Sequence, residues 1–180
     1  MTLNRTVALV GMMGAGKTSV GKRLAARLCV PFKDADHEIE EAAGLSVAEI
    51  FARHGEPEFR AGERRVIARL LAEPPHVLAT GGGAYMDPAT RAAMKERAFT
   101  IWLKAPVELL LARTAKRPTR PLLNNGDPRG TLEKLLAVRE PVYAEADYVL
   151  ESVDGPHEKA VEQLVAVLKE RGLMMQEAAP

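Results

Sequence analysis

Residues 11–18 read "GMMGAGKT" and follow a short apolar run, Val7-Ala8-Leu9-Val10. Gly11, Gly16, Lys17 and Thr18 fill the defined positions of the phosphate-binding pattern G-x-x-x-x-G-K-[ST]. The run before the loop has the continuous apolar character of a parallel strand buried on both faces. After it, Val20, Leu24 and Leu28 recur at helical spacing. A strand, a glycine loop and a helix in that order turn successive backbone N–H groups toward phosphate oxygens, with the helix N-terminus adding partial positive charge. Lys17 is then expected to reach the β- and γ-phosphates, and the Thr18 hydroxyl to ligate Mg²⁺. Gly14, Ala15, Gly16, Lys17, Thr18 and Ser19 are the expected nucleotide contacts. The nucleotide is one class of reading; the reaction needs more.

Working outward, further strands are expected at Phe32–Ala35, Val77–Thr80, Phe99–Leu103 and Tyr148–Leu150. Helices are expected over 46–54 and 57–73, split by the breakers Gly55 and Pro57, and from Asp87-Pro88, where an N-cap precedes proline at the first helical position. Others are expected from Pro106 to about Lys116, near 131–140, and from about 156 to 171. Residues 117–130, "RPTRPLLNNGDPRG", read as a long loop, and 173–180 as a fraying tail. Strands alternating with helices predict an α/β fold with a parallel sheet covered on both faces.

A length of 180 residues suits one domain spanning 1–180. The formal net charge of +1 gives no reason to expect nucleic acid or an anionic membrane as partner. One cysteine, Cys29, excludes an intramolecular disulfide and a thiolate metal site, and suits a reducing cytoplasm. "MTLNRTVALVG" lacks the apolar core of a secretion signal, and no run approaches the ~18 apolar residues of a membrane span. A cytoplasmic protein is expected. Cys29 is expected to pack in the core. His37, His54, His76 and His157 show no metal spacing and are expected at the surface or at caps. Glu38, Glu40 and Glu41 read as a solvated helix face.

Three more stretches carry polar chemistry: "KDADHEIE" (33–40), "EFRAGE" (58–63) and "ATGGGAY" (79–85). Each has a bland reading. Asp34 and Asp36 stand where acids often cap a helix, and Arg60 and Glu63 could form an ordinary surface ion pair. Arg113, Lys116, Arg117 and Arg120 could be a solvated basic helix end. Three consecutive glycines imply that backbone turns sharply or approaches something closely. A nucleotide-dependent switch is the alternative from another class. It would want a guanine-reading N-K-x-D, and the nearest stretch, Asn124-Asn125-Gly126-Asp127, lacks the lysine.

Taken together, "GMMGAGKTSVGKRLA", "FRAGE", "ATGGGA" and "TRPLL" make the chain resemble a shikimate kinase over about residues 6–170. The resemblance implies a P-loop, nucleoside-monophosphate-kinase-like three-layer fold, with a five-stranded parallel sheet in the order 2-3-1-4-5. It implies substrate-binding helices over about 34–62 and a mobile lid over about 113–128. It also implies ATP as co-substrate with Mg²⁺, shikimate as the small-molecule acceptor, and a monomer. By resemblance, Asp36 meets the reacting hydroxyl as candidate base, and Asp34 stands near the metal, acting through water. Arg60 and Arg139 form a carboxylate clamp, with Glu63 orienting Arg60. Gly81, Gly82 and Gly83 lie beside the acceptor, Arg113 lies on the adenine side, and Arg120 closes over the transferring phosphate. Planar, bidentate arginines suit a carboxylate ligand. Another small-molecule P-loop kinase, such as one acting on gluconate, is the alternative enzyme.

Overall fold

The computed structural model describes residues 2–115 and 126–175. Seven strands and seven helices are found among them: β1 (Thr2–Leu3), β2 (Thr6–Val10), α1 (Lys17–Leu28), β3 (Phe32–Asp34), α2 (Ala35–Ala43), α3 (Val47–Leu71), β4 (Val77–Ala79), α4 (Pro88–Arg97), β5 (Ala98–Lys104), α5 (Val107–Ala115), α6 (Pro128–Tyr143), β6 (Tyr148–Glu151), α7 (Glu158–Glu170) and β7 (Met174–Met175). A single 3₁₀ turn, Ala84–Met86, follows the triple glycine.

Five strands form one sheet in the order β3-β4-β2-β5-β6, and each neighbouring pair is parallel. Counting only these five, the order is the expected 2-3-1-4-5. All five residues of β2 are buried, as a central strand covered on both faces requires. Its Leu9 pairs with Ala79 on one side and Ile101 on the other. That register brings the loops after β2, β3 and β4 to one edge, and there the order reverses between β2 and its two neighbours. Open α/β sheets bind ligands at that place.

The local signals explain the helices. Ser46 and Glu49 close a reciprocal capping box at the start of α3. Gly55, at φ 78° and ψ 173°, breaks that helix internally just before Pro57, so the two expected helices are one kinked element. Asp87 caps α4, accepting from the Thr90 amide at 2.8 Å, with Pro88 at the first position. Ile39, Ile50 and Phe59 form a small separate core that ties α2 to α3.

Several expectations need correction. Helix α6 starts at Pro128, not near 131, because Asp127 caps it and proline fits a first helical turn; it also runs past 140 to Tyr143. The tail is held further than expected, since Leu173 is buried and Met174–Met175 pair antiparallel with Thr2–Leu3. Cys29 does not pack inside. It is exposed, at a left-handed φ of 55° in the α1 C-cap. His76 is the reverse case, only 1% exposed, with Nδ1 2.9 Å from the Pro74 carbonyl. Glu38 is not a solvated charge, because it accepts from Arg69 at 2.6 Å and from Lys33 at 3.3 Å. Lys116, Arg117, Arg120, most of the expected 117–130 loop and lid, the Asn124-Asn125 pair, and tail residues 176–180 lie outside the described residues. No helix among the described residues is long and apolar enough to cross a membrane.

Candidate active site

The loop after β2 is shaped by left-handed glycines, with Gly14 at φ 81° and Gly16 at φ 97°. A side chain rarely tolerates that region, so glycine supplies the turn. Gly16 is the N-cap of α1 and offers no side chain to cap it, which leaves the helix N-terminus facing the cleft. Lys17 is buried and curls over the loop, its Nζ donating to the carbonyls of Gly11 at 2.7 Å and Met12 at 2.9 Å. The Thr18 hydroxyl donates to Asp34 Oδ2 at 2.9 Å. Asp34 also caps α2, its Oδ1 accepting from the Asp36 amide at 3.2 Å. One carboxylate thus caps α2 and meets the first turn of α1 beside the phosphate loop.

Arg113 spans the far side of the loop. Its Nη1 donates to the carbonyls of Gly14 and Ala15, both at 3.3 Å, and to Ser152 Oγ at 3.2 Å, while Nη2 reaches the Val153 carbonyl at 3.1 Å. It is a clasp between the phosphate loop and the segment after β6, not a solvated helix end. His157 sits beside it. A Cβ built on Gly16 would lie 3.5 Å from Arg113 Nη1 and 3.6 Å from His157 Cε1.

Opposite this loop, α2, α3, α6 and the triple glycine converge. Arg60 Nη1 donates to Glu63 Oε2 at 2.7 Å. Glu63 is only 3% exposed, so this is no surface ion pair. Burial pushes its carboxyl above the usual Glu range against the pull of Arg60, and the nearby charge of Asp36 pushes the same way. Among the described residues Glu63 Oε1 has no hydrogen-bond partner. A Cβ on Gly81 would lie 2.8 Å from that atom and 2.9 Å from Asp36 Oδ1, so both carboxylates close over the bare Gly81 backbone. A Cβ on Gly83 would sit 2.5 Å from Arg60 Nη2, and one on Gly82 would sit 3.3 Å from Arg139 Nη1. None of the three glycines has a positive φ. Their purpose is room, not backbone freedom.

Arg139 is buried in α6, and its Nη1 lies 3.7 Å from Met12 Sδ. One turn on, the Tyr143 hydroxyl donates to the Gly82 carbonyl. Burial pushes that phenol up to about 12.

A cleft of about 590 Å³ joins the two sides. Of the residues expected from sequence, Gly14, Gly16, Lys17, Thr18, Ser19, Asp34, Asp36, Arg60, Gly81, Gly82, Gly83, Arg113 and Arg139 line it. Ala15 does not; its side chain is buried and its carbonyl is taken by Arg113 and Ser152. Arg120 lies outside the described residues. Sequence reasoning missed His157, which lines the cleft, and Tyr143. The helix expected near 131–140 stops short of Tyr143, so its four-residue spacing from Arg139 became a signal only once α6 was found to run to Tyr143. For His157 there was no local signal.

Comparison with known proteins identifies the family. The shikimate kinase family model matches residues 13–169. A shikimate kinase of Caulobacter vibrioides is 55% identical over 166 residues, covering 92% of this chain and 83% of that one. The shikimate kinase of Acinetobacter baumannii, solved in complex with shikimate, superposes with a TM-score of 0.91 at 39% identity, covering 94% and 96% of the two chains. A gluconokinase from Sinorhizobium meliloti, with a TM-score of 0.66 and 18% identity over 95% of each chain, shares the fold alone. With matches of that identity and coverage, the chain belongs to the shikimate kinase family.

Proposed function

We propose that this cleft transfers the γ-phosphate of ATP to the 3-hydroxyl of shikimate, yielding shikimate 3-phosphate and ADP for aromatic amino acid biosynthesis. One observation carries the reading: Asp36, Arg60 and Arg139 surround the bare Gly81–Gly83 backbone in the same cleft that Lys17 and Thr18 enter from the phosphate loop. The acceptor carboxylate is assigned to Arg60 and Arg139, with Glu63 holding the Arg60 fork. Its ring lies against Gly81, Gly82 and Gly83, and the 3-hydroxyl faces Asp36.

Transfer breaks the bond from the γ-phosphorus to the β,γ-bridging oxygen and forms one from the hydroxyl oxygen to that phosphorus. The hydroxyl proton passes to Asp36 and from there to solvent. Phosphoryl transfer depends on positioning and charge neutralisation more than on strong bases, so Asp36 orients the oxygen as well as accepting its proton. Lys17 swings from the Gly11 and Met12 carbonyls to the β- and γ-phosphates. Gly14, Gly16, Thr18, Ser19 and the Ala15 backbone cradle the phosphates, and Arg113 holds the loop on the adenine side. Family resemblance assigns Arg120 to the transferring phosphate.

The residues present fit Mg²⁺. Thr18 Oγ1 and Asp34 Oδ2, two hard oxygen donors 2.9 Å apart, stand beside the phosphate loop. Among the described residues no cluster of three His, Cys, Asp or Glu could hold a metal alone, which suits an ion that keeps waters and takes its other ligands from nucleotide phosphates. Thr18 and, through water, Asp34 would hold the ion, which would supply charge neutralisation at the nucleotide phosphates. A monomer in the cytoplasm completes the reading.

A coupled assay of ADP release with shikimate, quinate, gluconate and nucleoside monophosphates tests it. Shikimate should give turnover far above the no-acceptor rate. Turnover with another acceptor and none with shikimate would reject the assignment.

A further inference from the structure

The acceptor loop of three glycines is closed at its ends, but it has no side chain of its own to fix its middle peptide. Glycine carries no side chain to pack, and none of these three is fixed by the steric limits of a left-handed φ. The residues from 81 to 83 lie between β4 and the 3₁₀ turn at Ala84–Met86, outside both. The Gly81 carbonyl accepts from Ala84 at 3.2 Å, which closes a turn around Gly82 and Gly83 but leaves its central peptide unbonded by backbone, and the Gly83 carbonyl accepts from Met86 at 3.1 Å. The Gly82 carbonyl is different, because it accepts from a side chain, the Tyr143 hydroxyl.

That hydroxyl has a single proton, and its neighbours show where the proton goes. Met12 Sδ is 3.9 Å from the oxygen, a weak acceptor at long range, whereas the Gly82 carbonyl is in close hydrogen-bond contact. The phenol ring cannot swing away. Tyr143 is fully buried, its ring centroid 5.7 Å from that of Trp102 in β5. Its oxygen is thus anchored by the core of the sheet, not by the cleft.

A trans peptide is planar, with its C=O and N–H pointing in opposite directions. Holding the Gly82 carbonyl therefore also sets the direction of the Gly83 N–H. Among the described residues no hydrogen bond uses that N–H. Arg60 lies against the Gly83 α-carbon and Arg139 against that of Gly82. The peptide between them stands where the two arginine forks meet.

We propose that Tyr143 is the positioning residue of the acceptor loop: its hydroxyl locks the Gly82–Gly83 peptide so that the Gly83 N–H is presented to the acceptor beside Arg60 and Arg139. Arg139 and Tyr143, one helical turn apart on α6, then act as one unit. The arginine provides the charged contact and the tyrosine fixes the backbone donor next to it. The proposal rests on the assignment of Gly81–Gly83 to the acceptor pocket made above. It does not place Tyr143 in contact with substrate.

Tyr143→Phe and Gly83→Ala, assayed side by side, separate the two ideas. The phenylalanine ring still fills the space against Trp102, so the loss is confined to the hydroxyl, with its bond to Gly82 and its contact with Arg139. The shikimate KM should rise roughly 5- to 30-fold, the span expected when a buried carbonyl loses its partner, with the ATP KM within about twofold. If Gly83→Ala leaves the shikimate KM unchanged, the acceptor-pocket reading of the loop is wrong. If Gly83→Ala raises it and Tyr143→Phe does not, the lock is wrong and the loop reading stands. Equal losses on both substrates would make Tyr143 merely structural. Should Tyr143→Phe not fold, para-aminophenylalanine at 143, which restores a donor at the same position, must recover both the fold and the shikimate KM; no recovery overturns the proposal.

Discussion

In the loop at residues 11–16 glycine supplies backbone angles, whereas in the loop at residues 81–83 it supplies space. Gly14 and Gly16 stand at φ 81° and 97°, and their surroundings are not what forbids a side chain at Gly16, where the nearest atoms lie 3.5 Å and more from a built Cβ. Gly83 has an ordinary φ of −96°, yet a Cβ there would lie 2.5 Å from Arg60. In the first loop the constraint at Gly16 is internal, although Gly11 is also crowded by the Leu103 carbonyl, 2.6 Å from a built Cβ. Over the other, two carboxylates and two arginines close against the glycines, so its constraint comes from other elements. The difference extends to how each loop is held. The phosphate loop is clasped by its own Lys17 and by Arg113, and the acceptor loop by Tyr143 from α6.

The sharpest separation of the two sides should come from Asp36→Asn. Asparagine keeps the shape but loses the basic oxygen, so kcat should fall by roughly 10²- to 10⁴-fold. The ATP KM should hardly change, because Asp36 belongs to the acceptor side. Near-normal turnover in steady-state assays would remove Asp36 from proton transfer.

Next in size are the two buried or clasping arginines. Arg139→Ala should raise the shikimate KM roughly 10- to 100-fold, the usual value of a charge-assisted contact, and leave the ATP KM within about threefold. Arg113→Ala should do the opposite, because its four partners all belong to the phosphate loop or the segment after β6. Equal losses on both substrates in either variant would mean that the cleft does not divide in this way.

The glycines themselves should separate by mechanism. Gly16→Ala forces a side chain into a left-handed conformation, at a cost of about 1–2 kcal/mol, and should lower thermal stability along with ATP affinity. Gly83→Ala carries no such backbone penalty and should lower shikimate affinity roughly tenfold by displacing the Arg60 fork, on the scale of a disturbed charged hydrogen bond. Thermal unfolding and substrate titrations on the two variants decide it. A larger stability loss at Gly83 than at Gly16 would reverse the assignment.

The same division governs what could be read from the sequence. The phosphate loop was legible because its parts are contiguous: a buried strand, glycines, a lysine and a helix start within a dozen residues. The sheet order followed once the chain was seen to resemble its family, and the central strands were apolar enough to find. The acceptor side is assembled from Asp36, Arg60, Gly81–Gly83 and Arg139, which span about a hundred positions, and no local pattern states that they meet. Resemblance named them and they do line one cleft, but it did not give that Glu63 is buried with one oxygen unpartnered among the described residues, nor that Tyr143 holds Gly82. Pairing between residues 2–3 and 174–175 was invisible for the same reason, since two-residue strands have no periodicity to detect. Cys29 and His76 were misplaced because residue type was read as burial. The α1 C-cap turns Cys29 outward, and the start of β4 carries His76 in.

The smallest expected effect is a pH dependence confined to the nucleotide side. His157 lines the cleft beside Gly16, and its imidazole pKa is lowered from the ordinary 6.5 by burial first, then by the charges of Arg23 and Arg113, with Glu158 opposing them. In the free protein the neutral form is therefore favoured. Its contribution to stability is full above pH 6.5 and is lost as pH falls toward the lowered value. A bound nucleotide reverses the balance, because phosphate charge favours the imidazolium. ADP binding should then take up a fraction of a proton between about pH 6 and 7, the range around an imidazole pKa, and ADP affinity should rise roughly two- to fivefold from pH 8 to pH 6. Calorimetry in buffers of different ionisation heat reads the proton directly. His157→Gln should flatten this slope and leave shikimate binding at its ordinary pH profile. If the ADP slope survives in that variant, the proton belongs to another group. If shikimate binding carries the same slope, the two halves of the cleft are electrostatically coupled, and the division drawn between the loops holds for their geometry but not for their charge.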